Sequence, residues 1–269
     1  MSKKKKYFLL IPAILLLFIT GYPFLWTLCG SFNTVQQLGR ISVIPVGVTL
    51  KNYIDLFQKY KFPLYIYNTL VYAVVSTVIS VLINSLAAYA LARLRFPGKS
   101  LVFLVILSTM MIPFSVVMIP LFLIIKSMGL TNTLLALILP WMTTGFGIFL
   151  LRQFYLGIPK ELEEAAKIDG LSYFGVYVNI IIPLSKPILL ALALTAFLNA
   201  WNNYLWPLII NSKEEVWVIT TGIANFSNDR TSDWNMILTG AMVSVIPTTI
   251  LFAFFQKQLI EGVKLSGIK

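Results

Sequence analysis

The chain has 269 residues, of which 12% are charged and 58% apolar, with 21 Lys and Arg against 10 Asp and Glu. A soluble domain carries about 25% charged residues; so little charge could not cover a water-exposed surface, which excludes a soluble globular enzyme and puts the chain in a bilayer. Histidine is absent and the one cysteine, Cys29, sits in an apolar run, which removes His-based triads, His proton relays, disulfide frameworks and His- or Cys-based metal sites.

A net charge of +11 in a soluble protein would suggest nucleic acid. In a membrane protein it reads as topology, because basic residues stay on the cytoplasmic side; no nucleic-acid partner is expected. A spanning helix needs about 20 apolar residues. Stretches free of Asp, Glu, Lys and Arg occur at 7–39, 62–92, 100–125, 127–151, 187–212 and 234–256. Each is long enough to span, whereas 170–185 and 216–228 are too short. The expectation is an all-α membrane protein of six transmembrane helices.

The first run follows four lysines, Lys3, Lys4, Lys5 and Lys6. It is longer than a signal-peptide core of roughly 7–15 residues and no A-x-A site follows, so it reads as an uncleaved first helix over about 7–30. Residues 31–65 form an outer segment with Gln36, Gln37, Pro45 and a short helix near 50–57. Residues 66–260 form the core and 261–269 a tail, all within one transmembrane domain. An even number of spans puts both termini on one side, and the lysines make that side cytoplasmic. Then 14 of the 21 basic residues lie inside and 7 outside, the latter being Arg40, Lys51, Lys59, Lys61, Lys126, Lys213 and Arg230. The second outer segment, 213–233, carries Glu214, Glu215, Asp229 and Asp233. Either outer segment fits a solvated cap or a contact with an external partner.

No charge lies inside the six runs, and intramembrane charges usually mark ion or proton pathways. A proton-driven mechanism is disfavoured, and a sodium-coupled carrier using only backbone oxygens is the less favoured alternative; if the chain moves a solute uphill, the energy is expected to come from elsewhere. Pro97-Gly98-Lys99-Ser100 ends like a P-loop, but the required first glycine falls on Arg93 and no strand precedes it. It reads as a basic turn, and the chain does not hydrolyse ATP. Pro113 and Pro120 in the third run and Pro247 in the sixth each remove a backbone donor and kink a helix.

The fifth run holds Asn199-Ala200-Trp201-Asn202-Asn203-Tyr204-Leu205-Trp206-Pro207. Amides at membrane depth need partners. On chemistry alone, packing between helices and an interfacial aromatic belt come before a sugar contact, in which rings would stack on sugar faces and amides bind hydroxyls. Asn84, Ser85 and Asn179 read as packing.

The segment Gly157-Ile158-Pro159-Lys160-Glu161-Leu162-Glu163-Glu164-Ala165-Ala166-Lys167-Ile168-Asp169-Gly170 reads as a short cytoplasmic helix. Pro159 suits its first turn, Glu161 its positive end, and Glu163 and Lys167 an i, i+4 pair. Gly170 stops it, and Ser172 caps a second helix reaching Pro183. Leu162, Ala165 and Ala166 form a face small enough for close approach to a partner. The acidic ends disfavour docking on anionic lipid and favour a protein partner.

Glu164-Ala165-Ala166, three residues, Gly170, nine residues, Ile180-x-Ile182-Pro183 resembles the EAA loop of ABC importer membrane subunits, E-A-A-x3-G-x9-I-x-L-P, with Ile182 in place of the usual Leu. Asp169-Gly170, Pro183-Leu184-x-x-Pro187, the stretch 201–208 and Phe255-Gln256-x3-Ile260-x-Gly262 with Gly267 and Lys269 are similar to the carbohydrate branch. Nearly the whole chain resembles the smaller membrane subunit of maltose-type importers. The resemblance implies the type I importer permease fold, with the EAA loop at about 157–187. It implies a multi-pass subunit in the plasma (inner) membrane of a prokaryote, in contact with membrane lipid and forming one path with a homologous permease subunit. Glu163, Glu164, Ala165, Ala166, Asp169 and Gly170 would dock as a coupling helix on one of two ATPase subunits. Those subunits would hold ATP and Mg; this chain would hold no cofactor or metal and have no catalytic residues. The C-terminal tail would reach the ATPase interface. An extracellular or periplasmic solute-binding protein would deliver the sugar. Asn199, Trp201, Asn202, Asn203 and Tyr204 are then candidates for the substrate path, although in maltose-type systems the larger partner can hold most sugar contacts. The alternatives are a permease for a peptide or amino acid, a secondary carrier without an ATPase, and a membrane scaffold or receptor without transport.

Overall fold

The computed structural model describes residues 3–34, 47–227 and 233–267, with side chains placed between 10 and 256. Gln36, Gln37, Arg40, Pro45, Asp229, Arg230 and Lys269 lie outside the described residues, as do the side chains of Lys3, Lys4, Lys5, Lys6, Lys257, Ile260 and Lys264. The described residues are helical, with no strand beyond an isolated bridge between Asn33 and Val48.

Three helices are long and apolar enough to cross a membrane alone. They are α1 (Lys3–Ser31), α3 (Phe62–Arg93) and α14 (Trp234–Gly267). A short α2 (Lys51–Lys59) precedes α3, where the sequence placed one. Three bent pairs bring the number of crossings to as many as six. The first joins α4 (Lys99–Thr109) and α5 (Phe114–Ser127) at 102°. The second joins α6 (Leu134–Ile138), with its 3₁₀ turn Leu139–Trp141, to α7 (Gly145–Leu156) at 42°. After α8 (Lys160–Ile168), the third runs from α9 (Tyr173–Val176) through a π turn and α10 (Ile182–Leu184) into α11 (Lys186–Trp201), bending by 80°.

Two expectations about spans need correction. The run 187–212 is not one helix: α11 ends at Trp201, residues 202–204 are non-helical, and α12 (Leu205–Ile210) follows. The stretch 170–185, too short to span alone, instead supplies the first arm of the third bent pair. Proline chemistry accounts for the breaks. Pro113 cannot donate and disfavours helical geometry at Ile112, so the chain closes in 3₁₀-type bonds, Met110 N to Leu107 O and Ile112 N to Thr109 O. Pro183 cannot bond the carbonyl four residues back, at Asn179, and the π turn Tyr177–Ile181 spans that carbonyl. A 3₁₀ turn (Glu214–Val216) and α13 (Ile219–Asn225) complete the order.

The chain forms two compact units, Met1–Ile66 with Val218–Thr249, and Tyr67–Trp217 with Ile250–Lys269. In the first, the exit of α1 is tied down by amides. Asn52 Nδ2 donates to the carbonyls of Ser31 (2.8 Å) and Asn33 (3.0 Å), and Asn235 Nδ2 donates to Asn33 O at 2.9 Å. Ser31 O is a carbonyl that the end of α1 leaves without an intrahelical partner, and Asn33 O belongs to the chain just beyond it. Gly222 packs directly on the Tyr65 ring.

In the second unit, α3 carries a buried polar row, Ser76, Ser80, Asn84 and Ser85. Asn84 Oδ1 accepts from Thr143 Oγ1 (2.9 Å) and Thr144 N (3.0 Å), while its Nδ2 donates to Ser80 Oγ at 2.9 Å. Asn84 thus fills the break before α7, whose cap Thr144 accepts from Gly147 N. Ser85 Oγ meets the hydroxyls of Tyr155 (2.6 Å) and Tyr177 (2.8 Å). Asn84 and Ser85 are packing residues, as their chemistry suggested, and they hold named breaks and rings. A Cβ at Gly147 would lie 2.5 Å from Asn84 Nδ2. Gly147→Ala should therefore displace that amide and destabilise by about 1–3 kcal/mol, read as a lower unfolding temperature of the purified protein at unchanged helix content.

Candidate functional site

α8 begins after Pro159, which stands at the N-cap rather than inside the first turn, and Glu161 and Glu163 fall in that turn. Gly170 ends it at φ +86°, with Gly170 N bonded to Lys167 O and Leu171 N to Ala166 O. The left-handed residue and the paired bonds are those of a glycine helix stop. Ser172 Oγ then accepts from Gly175 N at 3.1 Å and caps α9.

The buried face of α8 differs from expectation. Glu163 and Ala166 are each 5% exposed, while Leu162, Glu164, Ala165, Ile168 and Asp169 face outward. Ala166 therefore packs against its own chain, and the outward apolar group is Leu162, Ala165 and Ile168. The expected Glu163–Lys167 pair does not form. Glu163 Oε1 lies 2.6 Å from Arg93 Nε at the end of α3, with both side chains nearly inaccessible. The approach is off the N–H axis, so the two meet as ions rather than through a linear hydrogen bond. Lys167 instead lies over the Tyr173 ring at 4.3 Å. The reason is desolvation: an exposed helix pair is worth a few tenths of a kcal/mol, whereas a buried carboxylate needs a buried counter-charge.

Arg93 also donates to Ile158 O, and Tyr89 OH donates to Tyr173 O at 3.0 Å. These bonds fasten both flanks of α8 to α3. Two further cations at that end satisfy backbone carbonyls. Lys99 Nζ donates to Ala92 O and Leu94 O, and Arg152 Nε donates to Leu91 O while lying over Phe103. Pro97-Gly98-Lys99-Ser100 is thus a basic turn with Gly98 at φ +77°. Sequence reasoning counted Arg93 only as a cytoplasmic charge. Its signal was position, as the first charge after a long uncharged run.

A second feature is a cavity of about 370 Å³ lined from α3, α5, α7, α11 and the break between α11 and α12. Asn199, Asn202, Asn203 and Tyr204 line it, and Trp201 does not. Trp201 is 2% exposed and stacks on Phe197 at 5.6 Å. Asn203 Nδ2 donates to Tyr72 OH at 3.1 Å, and Asn202 Nδ2 to Leu198 O at 2.9 Å. Trp206, buried, donates Nε1 to Ala136 O at 2.9 Å. The amide and aromatic signature therefore divides: Trp201 is buried against its own helix and Trp206 ties α12 to α6, while Asn199, Asn202 and Tyr204 face open space. Ser76, Ser80, Phe114, Trp141, Thr144, Phe146 and Thr195 complete much of the wall; all but Thr195 come from runs that showed no local motif.

Residues 84–264 match the family described as "Binding-protein-dependent transport system inner membrane component". The chain belongs to that family. This inner membrane component is 36% identical to the arabinooligosaccharides transport system permease protein AraQ of Halalkalibacterium halodurans, over 94% of this chain and 92% of the relative. It is 33% identical to the lactose transport system permease protein LacG of Rhizobium radiobacter, over 91% and 90%. It is 32% identical to the trehalose/maltose transport system permease protein MalG of Thermococcus litoralis, over 98% and 97%. Its fold matches a chain of a bacterial ABC transporter that imports the acidic polysaccharide alginate, with TM-score 0.82 and 24% identity over 96% and 98% of the two chains. The expected multi-pass, all-α permease fold is therefore the fold of this inner membrane component.

Proposed function

We propose that this chain is a non-catalytic permease subunit of an ATP-driven importer of sugars or oligosaccharides. The observation that carries the coupling part is α8, a short helix fastened to the end of α3 through the buried Arg93–Glu163 pair, with Glu164, Ala165, Ile168 and Asp169 left facing outward. Glu163 and Ala166 anchor the helix, Glu164, Ala165 and Asp169 meet an ATPase subunit, and Gly170 fixes the exit angle. Anchored at both flanks, α8 passes a push from the ATPase into α3 and the cavity beside it. Sugar as cargo is supported by relatives named for arabinooligosaccharides, lactose and trehalose/maltose. It is also supported by a cavity lined by Asn199, Asn202, Asn203 and Tyr204.

In this reading a homologous permease completes a heterodimer, two ATPase subunits bind ATP and Mg, and an external solute-binding protein delivers the sugar. The basic ends at Arg93, Lys99 and Arg152 face the cytoplasm with both termini, following the excess of basic residues on that side. The test is purification of the tagged chain from membranes. Co-purification of a second permease and an ATPase, with ATP hydrolysis raised by binding protein and sugar, is the expected result. Sugar uptake by this chain alone in liposomes without nucleotide would overturn it.

A further inference from the structure

The joint between α3 and α8 holds a further cavity, of about 590 Å³, whose wall carries five cations, Arg93, Arg95, Lys99, Lys160 and Lys167, against two acids, Glu163 and Glu164. We infer that it is a binding site for an anionic phosphate group, carried by a lipid headgroup or by a free phosphate, which braces α8 against the end of α3. The inference rests on the cytoplasmic placement of α8 given above and adds a ligand at that joint.

Four observations lead there. The first is a charge surplus in a concave space. Glu163 is taken up by Arg93, so Arg95, Lys99, Lys160 and Lys167 face Glu164 alone in this wall. A cleft lined mainly by one sign of charge concentrates counter-ions. The second is spare donors. Among the described residues neither Arg95 nor Lys160 meets an acid or a carbonyl, and Lys167 lies over the Tyr173 ring, itself part of the wall. The third is convergence. Arg95 follows the end of α3, while Lys160, Glu163, Glu164 and Lys167 stand at i, i+3, i+4 and i+7 on one face of α8. A planar guanidinium holds two oxygens of a phosphate and the lysines add point charges. A phosphate presents at least three oxygens and suits donors arriving from separate elements, whereas a carboxylate presents two. The fourth is depth. The cavity lies where α3 ends and α4 begins, and basic pockets between spanning helices on the cytoplasmic side receive phosphate headgroups. Glu164 opposes the anion, which fixes the sign of one variant below.

The test uses the complete permease–ATPase complex in nanodiscs of phosphatidylcholine, whose headgroup has no net charge. Hydrogen exchange of the segment 157–173 is followed while inorganic phosphate replaces chloride at constant ionic strength, and separately in nanodiscs enriched in phosphatidylglycerol. At least one probe should slow exchange saturably, by about three- to tenfold, the order of one or two ionic contacts. A response to phosphatidylglycerol alone assigns a lipid headgroup; a response to inorganic phosphate alone assigns a soluble ligand. The double variant Arg95→Gln with Lys160→Gln should lose the response, and Glu164→Gln should reach it at a lower concentration of inorganic phosphate or a lower content of phosphatidylglycerol. Lys186→Gln, at the start of α11 and outside the cavity, should keep it. No slowing by either probe, slowing unaltered in the double variant, or equal loss in Lys186→Gln would each overturn the site. No slowing together with loss of ATPase from the double variant would give the cavity to an acidic side chain of the ATPase, and that also overturns it. Failure of the importer reading shows separately, as the absence of any ATPase from the purified chain, and the exchange response is read from this chain in either case.

Discussion

Arg93→Ala should release α8 from α3 and destabilise the protein by about 3–5 kcal/mol, the usual effect of stranding one member of a buried ion pair. The stranded group is Glu163, 5% exposed, whose carboxylate faces Arg93 Nε at 2.6 Å. The same substitution removes the donor to Ile158 O, so the entry to α8 loosens as well. Hydrogen exchange of the segment 157–173 should quicken, and less ATPase should co-purify. Glu163→Gln should fall in the same direction by stranding Arg93. The double variant Arg93→Met with Glu163→Leu separates anchoring from charge. Replacing a buried pair by apolar groups is often neutral or stabilising, so the double variant should recover most stability. A double-mutant cycle with no coupling between the two sites would show that the pair does not anchor the helix. Arg93→Lys should be intermediate, because lysine keeps the charge and lacks the fork that reaches two acceptors.

Gly170→Val should leave the subunit in the membrane and abolish coupled transport, lowering sugar uptake more than tenfold while ATP hydrolysis loses its response to the binding protein. Gly170 lies at φ +86°, and a Cβ there would meet nothing within 4 Å. The effect is therefore backbone strain rather than collision. A residue bearing Cβ costs about 1–2 kcal/mol in the left-handed region, and a β-branched residue fits worst. The chain relieves the strain by leaving that conformation. This breaks the bonds from Gly170 N and Leu171 N to the last carbonyls of α8 and re-aims α8 against α9. The order of retained uptake should be glycine, asparagine, alanine, valine, since asparagine tolerates left-handed geometry. Unchanged uptake in Gly170→Val would remove the coupling role of this turn.

Legibility varied by the range of the interaction. The ends of α8 were readable because a cap, a stop and a first-turn acid are set within four residues of chain. Its faces were not. The local pattern offered Lys167 as the partner of Glu163, whereas the actual partner, Arg93, lies 70 positions earlier. Proline breaks were partly legible. Pro113 marked a kink, but the 102° turn and the π turn before Pro183 depend on how the freed carbonyls find new partners. The signature at 199–207 read as one unit and proved to be two, because the helix ends at Trp201 and the non-helical residues 202–204 turn to the cavity while Trp201 and Trp206 are buried.

The sequence by itself determined that this is a multi-pass helical membrane protein with an EAA-type loop. Those properties follow from local hydropathy, from the absence of intramembrane charge and from short fixed spacings. Tertiary structure decided which face of α8 is buried, that Arg93 holds Glu163, and that four rings and the unpaired Ser76 hydroxyl converge with Asn199 on one cavity. The physical reason is that burial couples residues far apart in the chain. A desolvated carboxylate takes whichever cation is brought beside it in the dry interior, and a wall is assembled from single residues of several helices, none of which carries a signal alone.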